Sequence, residues 1–303
     1  MIVVFGSVNI DLVARVERIA APGETVLGPS YEMICGGKGA NQALAARRAG
    51  ARVLMAGAVG RDGFAQPALA QLRADGVDLT CVAQTDVPTG AAFIAVDAAG
   101  QNAITVAAGA NAFARAAQLS GITFATGDWL VLQREIPDAE GEAAAGAARA
   151  AGAKVILNLA PGGGIPASYL ALVDILILNE HEALLLAHAL ELADAGHEAL
   201  AAEVFRRGGA ACIVTLGPAG AIAWQEGQRF ALPAFKVDVI DTTAAGDCFV
   251  GAFAAALDTG MTFEAALRHG LAAGSLACTQ RGAQPSVPFA AQIKALVAGQ
   301  LQQ

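Results

Sequence analysis

Apolar positions fall in short unbroken runs at 2–5, 52–58, 129–132, 154–158, 175–178 and 211–215. Runs with no polar alternation predict strands buried on both faces. Between them lie Ala-rich stretches at 39–49, 65–75, 138–150, 180–189 and 200–207, which predict helices. Strands regularly separated by helices imply an α/β fold: a mainly parallel central sheet covered on both sides.

Two regions break the rhythm, at about 12–33 and 90–107. Both are strand-like, contain turn signals such as Ala21-Pro22-Gly23 and Ala98-Ala99-Gly100, and lack a helical stretch. They predict strands of a small sheet that projects from the main domain, either as a flap over a site at the sheet edge or as a plain pair of hairpins. From Gly246 onward the chain is nearly all helical, with segments at 246–258, 262–278 and 289–301. No linker and no internal repeat divides it, so 1–303 is expected to form one domain.

Hydrophobic residues make up 55% of the 303 and charged residues 15%, enough for a large core. No apolar run approaches the ~18 residues of a membrane span. The start reads as a buried strand rather than a leader, so a soluble cytoplasmic protein without a membrane partner is expected. Net charge is −8 and the basic residues are scattered, which argues against a nucleic-acid partner. Five cysteines at 35, 81, 212, 248 and 278 show no metal-knuckle or C-x-x-C spacing and read as reduced, mostly buried thiols.

Five segments can carry chemistry. In Asp241-Thr242-Thr243-Ala244-Ala245-Gly246-Asp247 an apolar stretch at 235–240, read as a strand, leads through small residues into a helix. The N–H groups of Ala245, Gly246 and Asp247 at that helix start form an anion site suited to a phosphoryl group. Asp247 at its lip either takes a hydroxyl proton or caps the helix, and spacing leaves both open. Cys35-Gly36-Gly37-Lys38-Gly39-Ala40-Asn41-Gln42-Ala43 matches neither the phosphate-loop order G-x-x-x-x-G-K-[ST] nor G-x-G-x-x-G. Its glycines expose backbone, Lys38 and Asn41 to a polar ligand, or merely form a turn. In Gly6-Ser7-Val8-Asn9-Ile10-Asp11, Asn9 and Asp11 either grip vicinal hydroxyls or sit in a polar turn. In Asn179-Glu180-His181-Glu182 a capping box competes with a water-mediated Mg²⁺ role for Glu182. Thr215-Leu216-Gly217-Pro218-Ala219-Gly220 lines a nucleotide pocket or makes an ordinary hairpin turn. Most of these segments follow apolar strands, which favours one common cleft.

Taken together, in order and over nearly the whole chain, these segments resemble the PfkB carbohydrate kinases. Residues 241–254 fit that family's C-terminal signature and 36–43 its N-terminal one, joined by Pro22-Gly23-Glu24-Thr25 and Gly282-Ala283-Gln284-Pro285-Ser286. The last stretch and the Asn9/Asp11 pair lean toward the ribose-specific branch. The resemblance implies a three-layer αβα domain with a β-sheet lid that closes over the sugar and pairs two chains into a homodimer. It implies that ATP phosphorylates D-ribose at its primary 5-hydroxyl, with Asp247 as base and an anion hole at Ala244, Ala245, Gly246 and Asp247. Sugar contacts would come from Asn9, Asp11, Gly37, Lys38, Gly39, Asn41 and Glu135. Asn179, Thr215, Gly217, Gly220 and Gly246 would serve ATP, and Glu182 Mg²⁺. K⁺ would activate, held by Asp241, Thr243, Ala277, Gln280, Gly282 and Ser286. Cys248 stands where the family commonly has Thr, and Asn158-Leu159-Ala160-Pro161 where it more often has Asn-Pro-Ala-Pro.

Other readings keep the phosphotransfer but change the acceptor to fructose, 2-keto-3-deoxygluconate or a nucleoside, or keep the cleft as a non-catalytic sugar sensor. A nicotinamide oxidoreductase would need G-x-G-x-x-G after the first strand, where the chain reads Gly6-Ser7-Val8-Asn9-Ile10-Asp11.

Overall fold

The computed structural model describes residues 1–192 and 196–300. Its strands are β1 (Ile2–Phe5), β2 (Asn9–Arg15), β3 (Tyr31–Gly36), β4 (Val53–Gly60), β5 (Asp78–Thr85), β6 (Gly90–Val96), β7 (Asn102–Ala107), β8 (Trp129–Leu132), β9 (Lys154–Asn158), β10 (Ile175–Asn179), β11 (Ala211–Thr215), β12 (Ala221–Gln225) and β13 (Gln228–Leu232). The helices are α1 (Lys38–Arg48), α2 (Ala65–Ala74), α3 (Asp138–Ala150), α4 (Ala167–Leu170), α5 (Glu180–Ala189), α6 (Gly196–Gly208), α7 (Ala245–Asp258), α8 (Phe263–Ala277), α9 (Ala283–Ser286) and α10 (Ala290–Gln300).

Nine strands form one sheet in the order β13-β12-β11-β10-β9-β8-β1-β4-β5. Pairing is parallel from β11 to β5 and antiparallel across β11-β12-β13. The predicted parallel strands are present, joined by the edge strands β5 and β13 and by β12 next to β13, none of which the sequence reading includes. β5 alternates exposed and partly covered positions, and the β12–β13 hairpin turns on Glu226-Gly227, both at positive φ. Glu-Gly is a weaker turn signal than Asn-Gly or Asp-Gly.

Alternation along each strand divides the core in two. Ile2 and Val4 face the side packed by α1, α2, α7, α8 and α10, whereas Val3 and Phe5 face α3, α4, α5 and α6. The three-layer arrangement follows from that division. On the first side α1 lies close against α7, because Gly251 carries no Cβ; one would come within 2.5 Å of the Ala45 side chain. This approach brings the start of α1 to the start of α7.

The stretch at 235–240 is not a strand. Phe235 is buried in the core, but Val239 and Ile240 are exposed, and the N–H groups of Ile240 and Asp241 both donate to the Cys278 carbonyl at the end of α8. Apolar content there reflects a loop pinned to a helix end.

The two interrupting regions form a separate four-stranded sheet, β3-β2-β6-β7, with β2 and β6 parallel and the outer pairs antiparallel. β2 begins already at Asn9 and β3 runs to Gly36, so the projecting sheet is rooted directly in the chemistry-bearing segments. No helix among the described residues is long and apolar enough to cross a membrane.

Candidate active site

The parallel strands end on one edge of the sheet: Asn158, Asn179 and Thr215 are the last residues of β9, β10 and β11, Asn9 opens β2 just beyond β1, and Glu135 lies in the loop after β8. Ligands in open α/β sheets bind beyond such carboxyl ends. A cavity of about 740 Å³ opens there between the main sheet and the small one. It gathers Asn9, Asp11, Gly37, Lys38, Asn41, Glu135 and Asp247. One face of the small sheet, with Val13, Ile34, Ala92, Ile94, Ile104 and Val106, forms its roof. A second cavity of about 200 Å³ takes Asn158, Asn179, Glu182, Thr215, Ala245 and Gly246. Lys38, Ala244 and Asp247 line both, so they stand at the junction.

Asp247 lies in the first turn of α7 and is buried, but it does not cap the helix. The cap position is Ala244, in the left-handed conformation with φ 59°. The Asp247 carboxylate turns instead toward α1: Oδ2 accepts from Asn41 Nδ2 and Oδ1 from Gln42 Nε2, both at 2.9 Å. The anion site has two free donors rather than three. The Ala245 N–H donates to the Thr242 carbonyl at 3.2 Å, while those of Gly246 and Asp247 have no acceptor among the described residues. Space beside the Gly246 Cα is open, so a ligand can approach the backbone.

Glu135 is held by the Ser7 hydroxyl and by the Lys38 N–H at 3.0 Å. Asn9 lies in β2, not a turn; its Oδ1 accepts from Asn111 Nδ2 at 2.7 Å. Asn111 is itself clamped to Val8 through both backbone groups. That leaves the Asn9 amide N–H₂ as the donor directed to a ligand and Asp11 as the acceptor beside it. Asn41 Oδ1 is buried without a partner among the described residues, an acceptor on a wall of the larger cavity. Gly39 does not reach the cavity: a Cβ there would sit 2.6 Å from the backbone of Gly6 and Ser7, so its part is close packing of α1 on β1.

The field is anionic with one central cation. Lys38 is raised above its ordinary value, chiefly by Asp247, with Glu135 and Glu182 adding to it against burial. Burial, then the charges of Glu135 and Asp247, push Asp11 up to about 6. An acid raised in the folded state contributes stability fully present below its unfolded value near 4 and lost as pH rises through about 6. Asp11→Asn is therefore expected to raise Tm at pH 8 by roughly 2–5 °C, with the gain vanishing near pH 4. The same variant should bind a polyol acceptor less well, and wild-type KM for the acceptor should rise as pH falls below about 6. Thermal melts and acceptor titrations across pH check both.

In the second cavity the expected capping box is present: Asn179 Oδ1 accepts from the Glu182 N–H and Glu182 Oε2 from the Asn179 N–H, each at 2.8 Å. Burial raises Glu182, against the Asn179 hydrogen bond and Lys38. Among the described residues no group of three His, Cys, Asp or Glu side chains converges as a metal cage. A lone carboxylate with one uncommitted oxygen fits Mg²⁺ held mostly by phosphate oxygens and water. Thr215 lines this cavity, whereas Gly217 and Gly220 lie in the turn between β11 and β12, which is a hairpin connection.

Asp241, Thr243 and Gly282 line the larger cavity near its junction. Asp241 accepts from the Thr243 N–H at 2.9 Å, the Thr243 hydroxyl at 2.6 Å and the Gly282 N–H at 2.9 Å. Burial pulls the other way, but the bonds from Gly282 and Thr243 hold Asp241 below its ordinary value. The carbonyls of Thr243 and Gln280 accept nothing among the described residues and fit a monovalent cation. The Ala277 carbonyl accepts from the Gln280 N–H and the Ser286 hydroxyl donates to Ala283, and each oxygen keeps a lone pair that a cation could use.

Sequence reasoning misses Ser7, Asn111, Gln133 and Asn158, and leaves Gln42 without a role. Their only signal is an amide or hydroxyl beside an apolar run.

A model of the pfkB family of carbohydrate kinases matches residues 1–290. The ribokinase of Haemophilus influenzae is 38% identical over 289 residues, spanning 94% of this chain and 94% of that protein. Ribokinase from Thermotoga maritima superposes with a TM-score of 0.92 at 34% identity over 98% of this chain and 99% of that one. Ribokinase from Arabidopsis thaliana, solved with ribose and ATP, gives 0.87 at 31% identity over 98% of both chains. The architecture is the ribokinase-like α/β fold.

Proposed function

Because this chain belongs to the pfkB family of carbohydrate kinases, we propose that the acceptor of its ATP-dependent phosphotransfer is D-ribose, phosphorylated at the primary 5-hydroxyl. The observation that carries the reading is Asp247 at the junction of the two cavities, held by two amides and facing both. In this reading the sugar lies in the larger cavity under the small sheet, its hydroxyls on Asn9, Asp11, Asn41 and Glu135. The triphosphate lies in the smaller one, with the nucleoside over Thr215, Gly217 and Gly220. Asp247 takes the proton as the hydroxyl oxygen attacks phosphorus. Lys38 and the N–H groups of Gly246 and Asp247 receive the negative charge of the transferring group, so most of the catalysis is positioning and electrostatics. Mg²⁺, when bound near Glu182, supplies further charge neutralisation on the phosphates. The apolar roof excludes water, which limits wasteful hydrolysis.

K⁺ activation belongs to this reading, with Asp241 as the organiser of the loops at 241–243 and 280–282. So does a homodimer through the lid, supported by exposed Tyr31, Met33 and Phe93 on the face of the small sheet turned away from the cavity. Sedimentation of the wild type should give the mass of two chains and Phe93→Glu the mass of one; a single-chain mass for both rejects the lid interface. A cytoplasmic location accords with five unpaired cysteines.

The size of the larger cavity favours one competing acceptor, a nucleoside. Coupled ADP release with Mg·ATP and ribose, fructose, 2-keto-3-deoxygluconate or adenosine, each in K⁺ or Na⁺, separates them. Ribose should give the highest kcat/KM and be faster in K⁺. Preference for another acceptor rejects ribose, and equal rates in the two salts reject the cation site.

A further inference from the structure

A chain of buried side-chain amides leads to Asp247 from the wall of the smaller cavity, where Asn158 and Ile177 lie. Asn158 Nδ2 donates to the Ile177 carbonyl at 3.2 Å. Gln42 Nε2 donates to Asn158 Oδ1 at 3.0 Å and to Asp247 Oδ1 at 2.9 Å. Gln42 Oε1 accepts from Gln133 Nε2 at 2.7 Å. Gln42 is fully buried, and Gln133 and Asn158 nearly so.

The polarity of this chain is not free. A backbone carbonyl only accepts, so the Ile177 oxygen forces Asn158 to present its N–H₂ there and its oxygen to Gln42. Gln42 must then present its N–H₂ to Asn158, and the same nitrogen has one hydrogen left for Asp247. Its oxygen is turned to Gln133, which must donate. A main-chain group of the central sheet thereby determines which kind of atom meets the Asp247 carboxylate. The arrangement has a cost: Gln133 Oε1 is buried without a partner among the described residues, and an unsatisfied buried acceptor is unfavourable. A cluster kept only for packing would be as well served by apolar side chains of the same shape.

We infer that Gln42 is a positioning residue for the phosphotransfer, holding the plane of the Asp247 carboxylate through an amide relay anchored on the Ile177 carbonyl. With Asn41 on the other oxygen, the relay fixes the carboxylate by one donor on each side and leaves its remaining lone pairs for the acceptor hydroxyl. The inference rests on Asp247 as the base.

The test compares Gln42→Met and Gln42→Leu, which keep an apolar side chain of similar size but lose the donor, with Gln133→Met, which removes only the clamp on Gln42. Losing a hydrogen bond to a charged group corresponds to roughly a 10- to 100-fold change. Both Gln42 variants should lower kcat by about that factor, with dissociation constants for ribose and ATP within about threefold of wild type and unchanged Tm order among folded samples. Gln133→Met should lower kcat by roughly three- to tenfold, and it carries the test if the Gln42 variants do not fold. A Gln42→Met enzyme with kcat within twofold of wild type, or a kcat loss matched by an equal loss of ribose affinity, overturns the inference. Asp247→Asn with near-normal turnover would overturn the base itself, whereas an inactive Asp247→Asn beside a fully active Gln42→Met would overturn the relay alone.

Discussion

Asp247→Asn should lower kcat by about 10²- to 10⁴-fold, the range a positioned general base contributes, while ATP and sugar still bind. The substitution keeps the size of the side chain and its place in α7. It replaces one carboxylate oxygen by an N–H₂ group, which cannot take a proton from a hydroxyl. It also turns a donor against either Asn41 Nδ2 or Gln42 Nε2, since both already donate to this group. The Gln42 amide cannot reverse without facing Asn158 and Gln133 wrongly, so the strain falls on Asn41, whose oxygen has no other partner. The variant is therefore expected to settle with Asn41 flipped and to fold normally. Titration of both ligands against the inactive variant, alongside steady-state turnover, checks the separation of binding from chemistry.

Lys38→Met should cost about 10²- to 10³-fold in kcat, the scale of losing a preorganised charge at a transition state. Among the described residues Lys38 is the one cationic side chain lining both cavities. Asp247, Glu135 and Glu182 all act on it. Removing it leaves three carboxylates facing one another across a partly buried space, with no charge to receive the transferring phosphoryl group. Methionine fills the same volume, so a packing role alone would leave turnover nearly unchanged. Lys38→Arg should retain more activity than Lys38→Met, because charge matters more than shape there. Equal losses in the two variants would argue that the amine itself makes a directed contact that a guanidinium cannot reproduce.

What the sequence reveals follows from how local the signal is. Strands β1, β8, β9, β10 and β11 carry apolar residues on both faces and are legible from their composition alone. The edge strands β5 and β13 mix exposed and half-covered positions and carry no long apolar run, and β12, between β11 and β13, carries only the short run Ala221-Ile222-Ala223-Trp224. The stretch at 235–240 fails in the opposite sense: it has apolar residues but no neighbouring strand to pair with. In the site, Asp247, Lys38, Asn9 and Asp11 are legible because they sit in glycine-rich or polar breaks after apolar runs. Asn111, Gln133 and Asn158 are not, because each gains its role from a partner far away in the chain. The Asn179–Glu182 pair shows the intermediate case. Its capping box is local and readable, and the tertiary fold then gives the same carboxylate a second setting beside Lys38.

The most direct test of the central claim is the product itself. Wild-type protein incubated with Mg·ATP and D-ribose, followed by phosphorus NMR, should yield one sugar phosphomonoester on the primary carbon for each ADP formed, and Asp247→Asn should yield almost none. ADP appearing with free phosphate at the same rate whether or not ribose is present, or no sugar phosphate at all, would contradict the account.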